Sequence, residues 1–176
     1  MFSFLGQFHP QIVHTPIVML IFSAFLAVVG RLVDREWLRK TSVFMLVFGF
    51  LGAFLAVQSG KVAHRVPEHQ QGVPEHEIDE HGEGGEWVMY LSGGALVVMF
   101  IASRLQGGAA NALGLLALLV QLCAAGAVGV TAYRGGKLVY EHGANVKVDG
   151  QLVKSAHAAA QKAEPGEPGG KEADEH

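Results

Sequence analysis

Charged and apolar residues are segregated along the chain, which contains four long uncharged windows separated by polar segments. The windows cover residues 1–30, 41–60, 87–103 and 105–133, and none of them contains Asp, Glu, Lys or Arg. At a helical rise of about 1.5 Å per residue, each is about long enough to cross roughly 30 Å of hydrocarbon. Because backbone polar groups in lipid must be satisfied within their own segment, each window predicts a transmembrane helix.

The pattern predicts an all-α membrane protein, an antiparallel four-helix transmembrane bundle. The helices are expected at about residues 10–32, 40–60, 86–104 and 111–133, within a transmembrane domain that covers residues 1–150. Residues 151–176 are rich in Ala, Lys, Glu, Pro and Gly. Because such a composition cannot bury a core, this segment is predicted to be a disordered polar tail.

The segment between the second and third predicted helices, residues 61–85, is acidic and rich in histidine. It repeats Val-Pro-Glu-His at residues 66–69 and 73–76, and it holds six acidic residues and four histidines. Hydrophilic composition with proline punctuation is typical of loops. We therefore expect an acidic, histidine-rich loop over residues 61–85.

Composition and charge exclude several classes of protein. Of the 176 residues, 50% are hydrophobic and 16% are charged, which excludes a disordered chain and fits a soluble globule badly. The formal net charge is −3, and the basic residues flank the apolar windows, so nucleic acid is not expected as a partner. The single cysteine, Cys123, rules out an intramolecular disulfide.

The distribution of histidine and basic residues predicts the orientation in the membrane. An even number of spans places both termini, the acidic loop and all nine histidines on one side. The opposite side carries five basic residues close to the predicted helix ends: Arg31, Arg35, Arg39, Lys40 and Arg104. Because positive residues favour the cytoplasmic side, the termini and the histidines are expected to be extracytoplasmic.

The stretch from His9 to Pro16 places a histidine inside the first apolar window. Pro16 cannot donate a hydrogen bond to the carbonyl of Ile12, so a kink with a free carbonyl is expected beside His14. An imidazole below the interface is costly unless it has a partner. His14 therefore either binds a cofactor or stabilises the kink by a hydrogen bond to that carbonyl, whereas His9 is expected to be a solvated residue at the start of the helix.

Histidines from four elements converge on one face of the predicted bundle. Neutral imidazoles provide both axial ligands of a b-type haem, and bundle cofactor sites use side chains from facing helices. Gly52, Ala56 and Gly60 would leave room for a macrocycle, although small residues four apart also serve close helix packing. The candidate haem ligands are His14, His64, His81 and His142.

Four motifs give the chain a specific resemblance. They are His-Pro-x-x-Val-His at residues 9–14, Ser59-Gly60, the acidic segment around His81, and Gly-Gly-x-Leu-Val-Tyr-x-His-Gly at residues 135–143. From about His9 to Val146, the chain resembles the bacterial membrane family catalogued as domain of unknown function 2231. That family usually has Phe at the position of Thr15 and Gly-Val-Gly-Val at residues 143–146. The resemblance implies four transmembrane helices in a bacterial inner membrane and an association with respiratory redox proteins, and it supplies no reaction.

The loop histidines support a second kind of site. His69, His76 and His81 lie among carboxylates and could bind Zn²⁺, Cu²⁺ or Ni²⁺ at the surface, although a solvated acidic loop explains the same composition. His76 and His81 are five residues apart, so they do not form the zinc-protease motif, which needs a spacing of four. The chain also has neither a nucleophilic triad nor a phosphate-binding glycine loop, and we expect no enzymatic activity.

Three functions remain compatible with the sequence. The first is a non-catalytic redox subunit that binds a b-type haem near the extracytoplasmic face and exchanges electrons with other membrane or periplasmic redox proteins. The second is a cofactor-free structural or assembly subunit of a larger, respiratory-type membrane complex. The third is divalent metal binding by the histidine-rich loop. All three place the protein in a lipid bilayer.

Overall fold

The chain folds into four long helices with a short helical entry and a small β-hairpin. A computed structural model describes residues 3–64, 72–148 and 151–152, with side chains for residues 5–64 and 72–148. A 3₁₀ segment, Ser3–Phe8, precedes five α-helices: α1 His9–Ile12, α2 His14–Leu32, α3 Glu36–Ala63, α4 Glu75–Ala102 and α5 Gly107–Tyr140. Two short antiparallel strands follow: β1 Lys147–Val148 and β2 Gln151–Leu152.

The long helices form the predicted antiparallel bundle. Each of α2 to α5 packs against its neighbour in sequence, and α5 also packs against α2, so the four helices close a ring. All four are long and apolar enough to cross a membrane. Large apolar side chains such as Phe22, Phe25 and Phe44 are more than half exposed, as expected for a surface that faces lipid. The predicted fold class is confirmed.

Small side chains fill much of the bundle interior, which allows close approach of the helices. Ala95, Ala117 and Ala124 are completely buried. A Cβ atom added at Gly52 would lie 3.0 Å from Pro16 Cδ, so α2 and α3 meet at this glycine. At Gly52, close helix packing therefore explains the small-residue stripe of α3.

A polar network ties three helices together inside the bundle. The Ser23 hydroxyl donates to the Ser42 carbonyl over 2.7 Å, and the Ser42 hydroxyl donates to the Ser23 carbonyl over 2.8 Å. The Gln121 amide nitrogen donates to both hydroxyl oxygens. These three side chains are at most 1% exposed, so their hydrogen bonds replace those that water would supply.

The prediction of a loop over residues 61–85 is wrong at both ends. Helix α3 continues to Ala63, and α4 begins at Glu75, eleven residues before the predicted start at residue 86. Ile78 explains the early start, because it is buried against Leu138 and Ala144 beyond the predicted end of the fourth helix. Acidic residues in the first turn of α4 also suit the positive end of the helix dipole.

Other predicted boundaries also differ from the structure. The first helix is interrupted at Val13, the second begins at Glu36 rather than at residue 40, and the fourth covers 107–140 rather than 111–133. The predicted division at residue 150 falls inside the β-hairpin, since Lys147 pairs with Leu152. Gln151 and Leu152 thus belong to a strand rather than to a disordered tail, and the rest of the predicted tail lies outside the described residues.

Candidate functional site

The histidine end of the bundle is where α1, the start of α4 and the ends of α3 and α5 meet. It comprises His9 and the four residues that the sequence singled out as haem ligands. The structure does not gather these side chains into one cluster. It contains a central pair, a nearby third histidine, a separate hydrogen bond between His142 and Glu77, and one outward-facing histidine.

The central pair consists of His9 from α1 and His81 from α4. Their ring centroids are 6.3 Å apart, and the ring planes are nearly perpendicular, at 84°. Both side chains are partly buried between helices. Two imidazoles from different elements therefore approach each other in the interior of the histidine end.

Hydrogen bonds determine which ring nitrogen carries the proton when each imidazole is neutral. His81 Nδ1 lies 3.0 Å from the carbonyl oxygen of Thr131, which accepts only, so Nδ1–H donates. His9 Nδ1 lies 2.9 Å from Ser59 Oγ, whose own hydroxyl proton is donated to the Ala56 carbonyl. His9 Nδ1–H is therefore the donor to Ser59. In both neutral rings Nε2 carries the lone pair, the arrangement of a metal-binding histidine.

Two glycines make room for these rings. A Cβ atom at Gly60 would lie 3.2 Å from His9 Cε1, and one at Gly135 would lie 2.8 Å from His81 Cε1. Gly60 thus leaves room for the imidazole of His9. It also belongs to the small-residue stripe of α3. Gly135 belongs to the motif after the fourth apolar window, and its role is to admit the His81 ring.

His64 and Asp79 lie beside the central pair. The His64 Nε2 atom is 3.6 Å from Asp79 Oδ1, which connects the end of α3 to α4. Asp79 and His81 are two residues apart on α4, so His64 lies at the same junction of α3 and α4 as His81. His9 also lies at this junction, because it is hydrogen-bonded to Ser59 of α3 and its ring is close to that of His81.

His142 belongs to a separate, partly buried cluster with Glu77 and Lys137. Its Nε2 atom lies 3.0 Å from Glu77 Oε2, while Lys137 Nζ donates to Glu77 Oε1 over 2.6 Å. The His142 side chain is only 6% exposed and that of Glu77 only 16%. This cluster fastens the extension of α4 to the end of α5.

His14 lies on the outside of the bundle. Its side chain is exposed, and its Nδ1–H donates to the carbonyl oxygen of Pro10 over 2.6 Å. This geometry favours the interpretation in which His14 stabilises the helix break, with Pro10 in place of Ile12 as the acceptor. Ligation of a cofactor by His14 stays a prediction.

The structure describes two of the three residues of the predicted loop metal site, and that site stays a prediction. His76 and His81 lie on helix α4, where a spacing of five residues separates side chains by about 140° around the axis. His76 is exposed, whereas His81 belongs to the central pair. Among the described residues there is no group of three His, Cys, Asp or Glu side chains that could hold a metal. His69 lies outside the described residues.

Sequence reasoning missed His9. The prediction of a solvated residue is wrong, because His9 is partly buried and hydrogen-bonded to Ser59. Its sequence signal lies on another helix, α3, where Ser59 supplies a hydrogen-bond acceptor and Gly60 leaves space for an imidazole. This signal can be recognised only when the contact between α1 and α3 is known.

The Glu77 cluster gives a prediction about local stability. Glu77→Gln removes the charge that meets Lys137 and weakens the hydrogen bonds that connect the start of α4 to the end of α5. We expect faster amide hydrogen exchange in residues 75–81, with the transmembrane part of α4 unchanged. Glu83→Gln, at an exposed position of the same helix, is the matched control. Equal exchange rates in both variants would contradict the role of Glu77.

Comparison with known proteins agrees with the motifs and the fold. No curated protein and no solved structure matches the chain. The model of one family, described as predicted membrane protein (DUF2231), matches residues 7–148, which include the central histidine pair and all four long helices. Because the match covers most of the 176 residues, the chain belongs to this family of membrane proteins.

Proposed function

We propose that the protein is a non-catalytic membrane redox subunit that binds a b-type haem through His9 and His81. The observation that carries this proposal is the separation of the two imidazole rings, 6.3 Å between centroids. Metal–imidazole bonds are about 2.0–2.1 Å long, so two imidazoles on opposite sides of one metal atom have centroids roughly 6–6.5 Å apart. The ring separation and the two imidazole donors are those that a haem iron held by His9 and His81 would need.

The surrounding residues prepare both rings for this role. Ser59 accepts a hydrogen bond from His9 Nδ1–H, and the Thr131 carbonyl accepts one from His81 Nδ1–H. Each bond orients its imidazole ring and leaves the Nε2 lone pair for the metal. Gly60 and Gly135 admit the rings between the helices. A haem bound there supplies reversible one-electron chemistry, and the bundle contributes its burial and its axial ligands.

A cofactor-free structural or assembly subunit is the second candidate. The observation that favours it is the close fit of each ring against glycine, because a histidine fully used in packing and hydrogen bonding needs no ligand. In that case His9 and His81 would tie α1 to α3 and α4 to α5. The broad apolar exterior of the bundle would then serve contact with other membrane subunits as well as with lipid.

The absorption spectrum of the purified protein separates these candidates. Protein from haem-replete cells, kept in mild detergent, is expected to show a Soret band and a reduced α-band. Detergent extract from cells that carry the empty vector, taken through the same purification, controls for contaminating cytochromes. Helical protein with neither band, before and after incubation with hemin, would contradict the haem proposal and support the structural subunit.

The proposal also includes a location and an orientation. We place the protein in a bacterial inner membrane with both termini and the histidine end extracytoplasmic, where periplasmic or membrane redox proteins would be its electron-transfer partners. The basis is the charge asymmetry: Arg31, Arg35 and Arg39 lie near the end of α2 and the start of α3, at the opposite end from the histidines.

Paired reporter fusions test this orientation. A reporter that is active only outside the cytoplasm, fused after His176, is expected to be active, and a cytoplasm-specific reporter at the same site is expected to be silent. The same two reporters inserted after Asp34 provide the control, because that turn between α2 and α3 should give the opposite pattern. If the cytoplasm-specific reporter fused after His176 is active, the proposed orientation is wrong.

A further inference from the structure

The central histidine pair is attached to opposite walls of the bundle. His9 donates from Nδ1 to Ser59 of α3, and His81 donates from Nδ1 to the Thr131 carbonyl of α5. Helices α3 and α5 lie across the bundle from each other, because each of them packs against both α2 and α4. The two imidazoles therefore extend into the histidine end from opposite sides.

The second nitrogen of each ring points into the space between those walls. In an imidazole, Nε2 lies beyond Cε1 from Nδ1, so its lone pair points nearly opposite to the Nδ1–H bond. The Nε2 lone pair of His9 is thus directed away from α3, and that of His81 is directed away from α5. Because the ring centroids are 6.3 Å apart, each lone pair is directed toward the side on which the other ring lies.

The number of donors restricts which metal ion this pair can hold. Within residues 5–64 and 72–148, no three His, Cys, Asp or Glu side chains come together as a metal site. Zn²⁺ takes four ligands, and Cu²⁺ and Ni²⁺ form square-planar or tetragonal complexes, so two imidazoles do not satisfy these ions. Monovalent copper has a filled d shell and accepts two ligands in a line, and imidazole is among the ligands that suit copper. Two opposed neutral imidazoles therefore favour Cu⁺.

The arrangement of the two rings suits linear coordination. At metal–imidazole distances of about 2.0–2.1 Å, two rings on opposite sides of one ion have centroids roughly 6–6.5 Å apart. The observed separation of 6.3 Å falls in this range. A linear N–metal–N arrangement leaves each ring free to rotate about the common axis, so the angle of 84° between the ring planes is compatible with it.

We propose that the haem-free protein binds one Cu⁺ ion between Nε2 of His9 and Nε2 of His81. Both imidazoles bind in their neutral form, so binding forms two coordinate bonds, releases no proton and changes no oxidation state. This inference uses the ring pair of the proposed haem site but does not rest on haem binding. Haem and Cu⁺ would compete for the same two nitrogens.

Anaerobic titration of the full chain with Cu⁺ tests the proposal. The protein is kept in detergent micelles, its absorption spectrum shows that it holds no haem, and it carries Cys123→Ser, because the exposed thiol would bind Cu⁺ itself. The coloured chelator bicinchoninate competes for the ion and reports how much the protein removes. We expect one tightly bound Cu⁺ per chain. Titration with Zn²⁺ should give no site of comparable affinity.

Alanine variants assign the two ligands. We expect His9→Ala and His81→Ala each to lower the affinity for Cu⁺ at least about tenfold. His14→Ala is the matched control, because its ring is exposed and bonded within the helix break, and it should bind Cu⁺ as the unsubstituted protein does. Helical circular dichroism is recorded for each variant. Equal affinity in folded His81→Ala and unsubstituted protein would overturn the proposal.

X-ray absorption at the copper edge identifies the ligands independently of the variants. The Cu⁺-loaded protein should show two nitrogen neighbours and no sulfur neighbour. Three or four neighbours, or a sulfur ligand, would contradict coordination by the two rings alone.

Hemin separates the failure of this inference from the failure of the haem proposal. If the protein binds both, hemin should displace Cu⁺, and simultaneous binding of one of each per chain would contradict the shared nitrogens. A Soret band without Cu⁺ binding by the haem-free protein would overturn the copper site and leave the haem proposal. Binding of Cu⁺ that is lost in both alanine variants, with no Soret band after hemin, would support the copper site and contradict haem.

Discussion

Replacing His81 by alanine is expected to reduce haem occupancy to under roughly a tenth of that of the unsubstituted protein, with loss of the reduced α-band. The substitution removes one of the two rings whose centroids lie 6.3 Å apart, together with its hydrogen bond to Thr131. Four long helices remain packed along their length, so helical circular dichroism should persist. The measurement is the ratio of Soret to protein absorbance at matched helical content.

His14→Ala is the matched control for this experiment. His14 lies near the same end of the bundle, but its side chain is exposed and its hydrogen bond stays within the helix break. We expect its spectrum to match that of the unsubstituted protein. The opposite pattern, with haem lost from His14→Ala and retained in His81→Ala, would show that the sequence-based ligand is right and the central pair is wrong.

Gly135→Val should also disturb the site, although no ligand is removed. A Cβ atom at this position would lie 2.8 Å from His81 Cε1 and 3.2 Å from His81 Nδ1, closer than carbon atoms normally approach, so the ring must move. Movement of an oriented ligand typically lowers metal affinity about 10–100-fold. We expect a corresponding rise in the dissociation constant for hemin, measured by titration of the haem-free protein.

Gly126→Val on the same helix provides the control for helix propensity. No heavy atom lies within 4 Å of a Cβ built at Gly126, which is exposed toward lipid. Both variants introduce one β-branched residue into α5, so only steric contact with His81 distinguishes them. Unchanged hemin affinity in Gly135→Val would show that the His81 ring is not held where the structure places it.

The spans could be predicted from the sequence because hydropathy reports directly on the cost of burying charge in lipid. The extent of α4 could not, because residues 75–85 are hydrophilic and their helix depends on contacts that a local pattern does not contain. Ile78 packs on Leu138, and Glu77 binds Lys137, sixty residues away. Polar residues at a helix end resemble a loop until their partners are known.

The candidate site could be predicted only in part, because it also depends on contacts between helices that a local pattern does not contain. Counting histidines on one side of the membrane indicates the end of the bundle where the candidate site lies, and it includes His64 and His81. Depth in the apolar window favours His14 over His9. Depth along a helix does not determine whether a side chain is buried between helices. In the structure the His14 side chain is exposed, whereas His9 is partly buried and hydrogen-bonded to Ser59.

Electron paramagnetic resonance of the oxidised, purified protein shows whether two histidines bind the haem iron. Two axial imidazoles give a low-spin ferric haem, whereas loss of one ligand gives a high-spin ferric signal. We expect a low-spin spectrum for the unsubstituted protein and a high-spin spectrum for any haem retained by His9→Ala or His81→Ala. A high-spin spectrum in the unsubstituted protein, or the absence of any haem iron signal from folded protein, would contradict ligation by His9 and His81.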